Sequence, residues 1–262
     1  MHPAETPEFW ASYSKEDLIG RVAALHAQRR ELSGKLGEAE VRGARTAIAR
    51  VYLQGNGIEV GAGDRPFPMP DGVQCYYGDI RDRQGLTKYF GNDLAPLSGF
   101  IDAQTFAGVQ LASLDFVIAA HVIEHLHDPI NAIAAAVATL KPGGIFVCVV
   151  PEKEKNWDRD RPPTTLEHLL IDSRDGGKST LFQAHVEQAR YAHPILEGEQ
   201  IPESEIENHA RKTMEKGADI HIHCWRASEF TELLATLAPM NNFTVEVHVP
   251  VVNENIYVMR GR

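Results

Sequence analysis

Cysteine is scarce in this 262-residue chain, with Cys75, Cys148 and Cys224 the only three. They are widely spaced, odd in number and form no C-x-x-C pair, which argues against a disulfide framework and against a structural zinc site built from thiolates. Reduced, inert thiols are expected. No run of about 18 to 20 apolar residues is present, so no membrane-spanning helix is expected. The opening Met1-His2-Pro3-Ala4-Glu5-Thr6-Pro7-Glu8 has neither a basic stretch nor an apolar one. No secretion signal is therefore expected, and the reading is of a cytoplasmic protein. Positive charge is also in short supply: 26 Lys and Arg face 36 Asp and Glu, for a net charge of −10. That balance disfavours binding to duplex nucleic acid, which needs cations to displace phosphate counterions. Internal repeats and low-complexity tracts are absent too. What is left, 43% apolar and 24% charged residues, suits one sizeable α/β domain with additions, or at most two domains.

One glycine-bearing stretch stands out: Ile58-Glu59-Val60-Gly61-Ala62-Gly63-Asp64-Arg65-Pro66. Ile58-Glu59-Val60 reads as a short buried strand. Gly61 and Gly63 then let the backbone turn tightly and approach a ligand with no Cβ in the way. Open α/β sheets bind nucleotides at such a turn, at the carboxyl end of a strand. A dinucleotide fingerprint would carry a third glycine where Pro66 stands, which argues against NAD and FAD. Glu59, two residues before Gly61, suits a ligand with a cationic amino-acid end and no pyrophosphate. Glu59, Gly61, Ala62 and Gly63 are the first cofactor-binding candidates.

Val73–Asp79 reads as a second strand, with Asp79 lying 20 residues beyond Glu59. A carboxylate there can accept both ribose hydroxyls of a nucleoside. Gly99–Ala103 suggests a third strand containing Asp102. Ser113–Ala120 is apolar on both faces, as a central parallel strand should be, and runs into His121-Val122-Ile123-Glu124-His125. An alanine-rich helix over Ile130–Leu140 stops at Lys141-Pro142-Gly143-Gly144, before an apolar strand, Ile145–Val150. Trp225–Leu237 carries Phe230, Leu233, Leu234 and Leu237 at helical spacing. Phe243–Val252 and Asn255–Met259 read as a closing pair of strands.

The run L-D-F-V-I-A-A-H-V-I-E-H-L, followed by L-K-P-G-G and preceded by the G-x-G turn, resembles the class I S-adenosylmethionine-dependent methyltransferases of the type-11-like group, over about residues 55–150. The resemblance implies an α/β, Rossmann-like, seven-stranded sheet with an antiparallel last strand and helices on both faces. It also implies S-adenosylmethionine as cofactor. Asp102 is placed near the adenine amino group, and His121 at the mouth of the cofactor pocket.

His121, Glu124 and His125 share a face through i,i+3 and i,i+4 spacing if the segment is helical. Two imidazoles and a carboxylate could bind a divalent metal, as a similar pattern does in the small-RNA 3′-terminal 2′-O-methyltransferases. Those enzymes have Glu where this chain has His121. Metal-free relatives keep the E-H pair as pocket lining, so no metal is assigned. His121 and His125 are instead catalytic candidates, since imidazole is the usual base at neutral pH.

Pro151–Gly217 is a long insertion after the fifth strand, of the kind that caps active sites. Its Asp158, Arg161, Thr165, His168 and Asp172 match a D-x-x-R-x-x-T-x-x-x-H-x-x-x-D pattern. That pattern resembles a bacterial subset of the group, often found beside glycosyltransferases. His168 is a further catalytic candidate, on a helix starting at Thr164 or Thr165. Asp158, Arg161 and His223 are substrate-binding candidates, with Arg161 suited to a phosphate or carboxylate.

Residues 1–53 read as an N-terminal helical cover and 54–262 as the catalytic domain. Residues 1–13, with Trp10 and Tyr13, suggest a surface segment. Ser14 then caps a helix bearing Leu18, Val22, Leu25, Leu32 and Leu36 on one face, and a second helical piece spans about 38–52. That face suits either covering the cofactor or substrate pocket, or packing on the sheet edge or on a second subunit in a homo-oligomer. The expected activity is methyl transfer to an oxygen of a small-molecule or sugar acceptor. The alternative is a non-catalytic, cofactor-binding partner of a glycan-assembly enzyme.

Overall fold

The computed structural model describes residues 14–92 and 94–262; the expectation for residues 1–13 lies outside them. The chain divides into two compact units, residues 1–43 and 44–262. Helix α1 is Lys15–Tyr52. It opens with a reciprocal cap: Ser14 Oγ accepts from the Asp17 N–H at 3.1 Å, and Asp17 Oδ2 accepts from the Ser14 N–H at 3.2 Å. The sequence suggests two helical pieces parted near Gly34 and Gly37, whereas the structure has one. A glycine costs a helix interior about 1 kcal/mol, which weakens α1 without breaking it because no proline interrupts the run. Val22, Leu25, Leu32 and Leu36 are exposed.

The second unit is built on strands β1 (Asn56–Val60), β2 (Gln74–Asp79), β3 (Gly99–Phe100), β4 (Leu114–Ala120), β5 (Leu140–Pro151), β6 (Phe243–Val251) and β7 (Glu254–Gly261). They form one seven-stranded sheet in the order β3-β2-β1-β4-β5-β7-β6. β1 to β5 are mutually parallel, and β7 is antiparallel to both β5 and β6. This is the architecture the sequence motifs imply.

The central strands are apolar on both sides because both faces are covered. Val117, Ala119, Phe146 and Cys148 pack with Ala132, Ile133 and Ala136 of α3 (Pro129–Thr139) and with Phe230, Leu233 and Leu234 of α8 (Ala227–Leu237). On the other face Phe116, Ile118, Val147 and Val149 pack with Ile48 and Ala49 from the end of α1 and with Phe67. α2 (Arg83–Phe90) follows β2 and is started by Asp82, whose side chain accepts from the Gly85 N–H at 2.8 Å. The insertion is largely helical: α4 (Leu166–Asp175), α5 (Leu181–Glu187), α6 (His193–Glu197) and α7 (Ile206–Glu215). Thr165 caps α4, accepting from the His168 N–H at 3.2 Å, as its position in the sequence suggests.

Candidate active site

Parallel strands deliver their carboxyl ends to one edge, and the glycine turn sits there, after β1. Gly61 and Gly63 have φ of +66° and +54°, a region that L side chains enter at a cost of about 1–2 kcal/mol. A Cβ on Gly61 would lie 2.6 Å from Val122 Cγ2, and one on Gly63 would lie 2.9 Å from the Phe90 ring. The Gly61 N–H donates to the Gly78 carbonyl (2.9 Å), which sets Asp79 at the end of β2 beside the turn. Asp79 Oδ1 accepts from the Arg81 N–H at 2.8 Å, while Oδ2 takes no hydrogen bond from the described residues. A glycine cradle next to a carboxylate with a spare acceptor fits a nucleoside with free ribose hydroxyls.

Two of the cofactor candidates are differently employed. Glu59 is fully buried, and both its oxygens accept from the Phe67 N–H (2.9 and 3.0 Å). It braces the loop that follows the glycines. Burial pushes its carboxyl up to about 7 against the opposing pull of the Phe67 N–H and Arg45. Asp102 lies beyond a β3 only two residues long and uses both oxygens on its own turn, accepting from the Gln104 N–H at 2.8 Å and the Thr105 hydroxyl at 3.0 Å.

At the end of β4 the expected helical face is replaced by a left-handed residue and a 3-10 turn. His121 has φ +56°, and the turn covers Ile123–His125. His121 Nε2 lies 2.9 Å from Glu254 Oε2, and Nδ1 lies 3.5 Å from Glu124 Oε1. Arg45 donates to Glu254 through Nε (2.9 Å) and Nη2 (2.6 Å). Burial alone would lower the His121 pKa, but the Glu124 and Glu254 carboxylates outweigh it and raise the value to about 9. His121 is thus an imidazolium at neutral pH, suited to donating a hydrogen bond and unsuited to taking a proton.

His125 is placed differently. Its Nδ1 lies 2.8 Å from Asp219 Oδ1 and 3.0 Å from the Ile220 carbonyl oxygen, and the ring is part-exposed. This fixes the ring and leaves Nε2 as the nitrogen that can exchange a proton. Burial would lower its pKa; Asp219 and Glu124 raise it above the ordinary value. Asp219 also accepts from Arg81 Nη2 (2.7 Å), linking this histidine to the strand end that bears Asp79.

The insertion candidates fall into two groups. Arg161 is buried and donates to Asp158 (2.8 Å) and to the carbonyls of His221 (2.8 Å) and Ile222 (3.1 Å). Asp158 in turn lies 2.5 Å from His221 Nδ1. These two side chains therefore tie the insertion to the segment leading into α8, and the expectation that they bind substrate gives way to a buried ion-pair network. His223 is fully buried, its ring stacked on Trp225 at a centroid distance of 5.5 Å. Burial pushes its pKa down to about 3, so it is neutral. His168 lies beside it, at a ring distance of 5.5 Å.

Sequence reasoning passes over Asp219, His221 and Glu254. The alternation Asp219-Ile220-His221-Ile222-His223 was the available signal for the first two, since it places polar side chains on one side of an extended segment. Two clusters offer metal-ligand chemistry: Glu124 with His125 and His221, and His168 with Asp172 and His223. Glu124 is fully buried, and neither of its oxygens has a hydrogen-bond donor among the described residues.

No curated protein matches the sequence. Among solved structures the chain is similar to a SAM-dependent methyltransferase of Thermotoga maritima (13% identity, 91% of this chain and 96% of that one, TM-score 0.48). It is also similar to one of Methanosarcina mazei (15%, 82% and 96%, 0.44). A third likeness is to a Rhodobacter sphaeroides protein named for the zinc-dependent alcohol dehydrogenases (14%, 83% and 89%, 0.48). A family model described as a methyltransferase domain matches residues 24–236. With most of its length matched, this chain belongs to the methyltransferase-domain family, enzymes that take their methyl group from S-adenosylmethionine.

Proposed function

We propose that this enzyme methylates an oxygen of a small-molecule or sugar acceptor, and that His125 takes the acceptor's proton. The observation that carries the reading is the His125–Asp219 pair, which holds one imidazole nitrogen at 2.8 Å and leaves the other for the acceptor. S-adenosylmethionine, when bound against Gly61–Gly63 and Asp79, supplies a methyl group on a sulfonium that leaves as a neutral thioether. The work left to the chain is alignment and deprotonation. His125 Nε2 is the nitrogen that would accept the acceptor's hydroxyl proton. Asp219 steadies the imidazolium that results, and the imidazolium of His121 helps orient Glu124. Net charge and the absence of a basic face among the candidate residues favour a neutral acceptor over a polyanion.

Methyl transfer to a panel of nucleotide-sugars and small phenols tests the acceptor class. His125→Ala is expected to lower kcat by about 10²–10⁴ while calorimetry shows unchanged affinity for S-adenosylmethionine. Because Asp219 raises the His125 pKa, the rate should climb with pH through a limb lying above the ordinary 6.5. A variant that keeps its full rate would remove His125 from the chemistry.

A further inference from the structure

Three buried polar atoms meet next to Glu124, at ion-pair distance but with no hydrogen bond between them. His168 Nε2 lies 3.2 Å from Asp172 Oδ2, and Asp172 Oδ2 lies 3.7 Å from His223 Nε2. None of the three makes a hydrogen bond with any described residue. Asp172 and His223 are completely buried. Desolvating such atoms is costly unless something satisfies them, and two imidazole nitrogens with a carboxylate oxygen are the donor set of a divalent transition metal.

The spacing agrees with that chemistry. A tetrahedral ion with arms of about 2.0–2.1 Å places its ligands about 3.3–3.4 Å apart, and the observed separations of 3.2 and 3.7 Å straddle this edge. All three ligand atoms lie within 4.8 Å of one another.

The carboxylate ligand is also held from behind, as metal ligands are, and the two histidines are anchored through their main chain. The other Asp172 oxygen, Oδ1, accepts from the Thr180 hydroxyl, and the Asp172 carbonyl accepts from the Gly176 and Gly177 N–H groups. His168 sits in the capped first turn of α4. The backbone N–H of His223 donates to the Glu124 carbonyl (3.0 Å), and its ring stacks on Trp225, while its Nδ1 has no hydrogen-bond partner among the described residues.

We propose that His168, Asp172 and His223 form a binding site for one divalent transition cation of the zinc class. The ion ties α4 of the insertion to the extended segment before α8, directly beside Glu124. Its role is to fix the insertion against the carboxyl edge of the sheet. The site does not depend on the identity of the acceptor or on His125 acting as base.

Metal content by plasma mass spectrometry, after dialysis against metal-free buffer, gives the first reading, with about one zinc per chain expected. Protein stripped with chelator should regain thermal stability on adding ZnCl2. With CoCl2 it should develop the visible absorption of a tetrahedral cobalt site. Asp172→Asn and His168→Gln should each weaken binding by more than the roughly 10–100-fold seen when a group behind a ligand is lost; Thr180→Val should fall within that range. His168 is part-exposed, so His168→Gln carries the test if Asp172→Asn fails to fold by circular dichroism. Calorimetry with S-adenosylmethionine on the same samples separates loss of the ion from loss of the cofactor site. Stripped protein that takes up neither zinc nor cobalt would overturn the proposal. So would an ion retained in His168→Gln but lost in Glu124→Gln, which would place it at the neighbouring cluster.

Discussion

At the glycine turn the partners are neighbours in sequence: Glu59 reaches Phe67 across 8 positions, and Gly61 and Gly63 set their own backbone. In the insertion the partners are remote. Asp158 meets His221 across 63 positions, and Arg161 meets the His221 carbonyl across 60. Just outside the insertion, Arg81 reaches Asp219 across 138. The first region makes its site by omitting side chains, so that main chain and ligand can approach. The second makes its site by burying charged side chains and satisfying them from elsewhere in the chain. Substitutions should therefore fail in different ways in the two regions, by local crowding in one and by stranded charge in the other.

The largest effect is expected from Arg161→Ala. Removing one partner of a buried ion pair costs about 3–5 kcal/mol because the remaining charge has lost its partner. Arg161 is 2% exposed, and its loss also leaves the His221 and Ile222 carbonyls without a donor. Arg81→Ala, which breaks a part-exposed pair with Asp219, should cost no more than about 1 kcal/mol. Urea unfolding of the two variants checks the contrast, and equal losses would show that the insertion network is no more demanding than a surface pair.

Glu59→Gln probes the carboxyl that the glycine region buries completely. Its carboxyl is raised from 4.5 to about 7, with burial the dominant cause. The folded state therefore binds the proton more tightly than the unfolded state. Stability from this group is present below pH 4.5 and is lost as pH rises through 7. Glutamine keeps an acceptor for the Phe67 N–H and does not titrate. The stability difference between wild type and variant should therefore shift in favour of the variant, by up to about 3 kcal/mol, between pH 4.5 and pH 8. A difference that stays flat over this range would mean that Glu59 ionises freely in the fold.

The same contrast explains what could be read in advance. The alternating and continuous apolar runs of β1, β4 and β5, the G-x-G turn and the acid ending β2 follow from local rules, and the structure has them where those rules place them. Helix α1 was harder, because glycine weakens a helix without forbidding it, and the two-piece expectation gave way to one helix of 38 residues. The turn at Ile123–His125 was harder still: the positive φ of His121 leaves no trace in composition. Arg161 was legible as a charge and illegible as a buried one, since the carbonyls that satisfy it come from residues 221 and 222. Glu254, which holds both His121 and Arg45, has no local signature at all. Only the alternation at Asp219-Ile220-His221-Ile222-His223 offered a hint, and it marks one side of a chain without saying what lies there.

The smallest effect should separate crowding from backbone strain. Gly61→Ala and Gly72→Ala both force a side chain into the left-handed region, at φ +66° and +82°, and share a strain cost of about 1–2 kcal/mol. They differ in surroundings: a Cβ on Gly72 would meet nothing within 4 Å, and one on Gly61 would meet Val122 Cγ2 at 2.6 Å. Val122 can yield somewhat, because the clash is with a side-chain methyl, so the stability gap between the variants should be only about 1 kcal/mol. Affinity should discriminate far better than stability. If the close approach at Gly61 is what admits the cofactor, Gly61→Ala should weaken S-adenosylmethionine binding by at least about tenfold, equivalent to 1.4 kcal/mol. Gly72→Ala should leave that affinity unchanged. Calorimetry on the pair decides the point: equal affinities would mean that the turn serves the fold of β1 and α2 and that the nucleoside is held elsewhere along the sheet's edge.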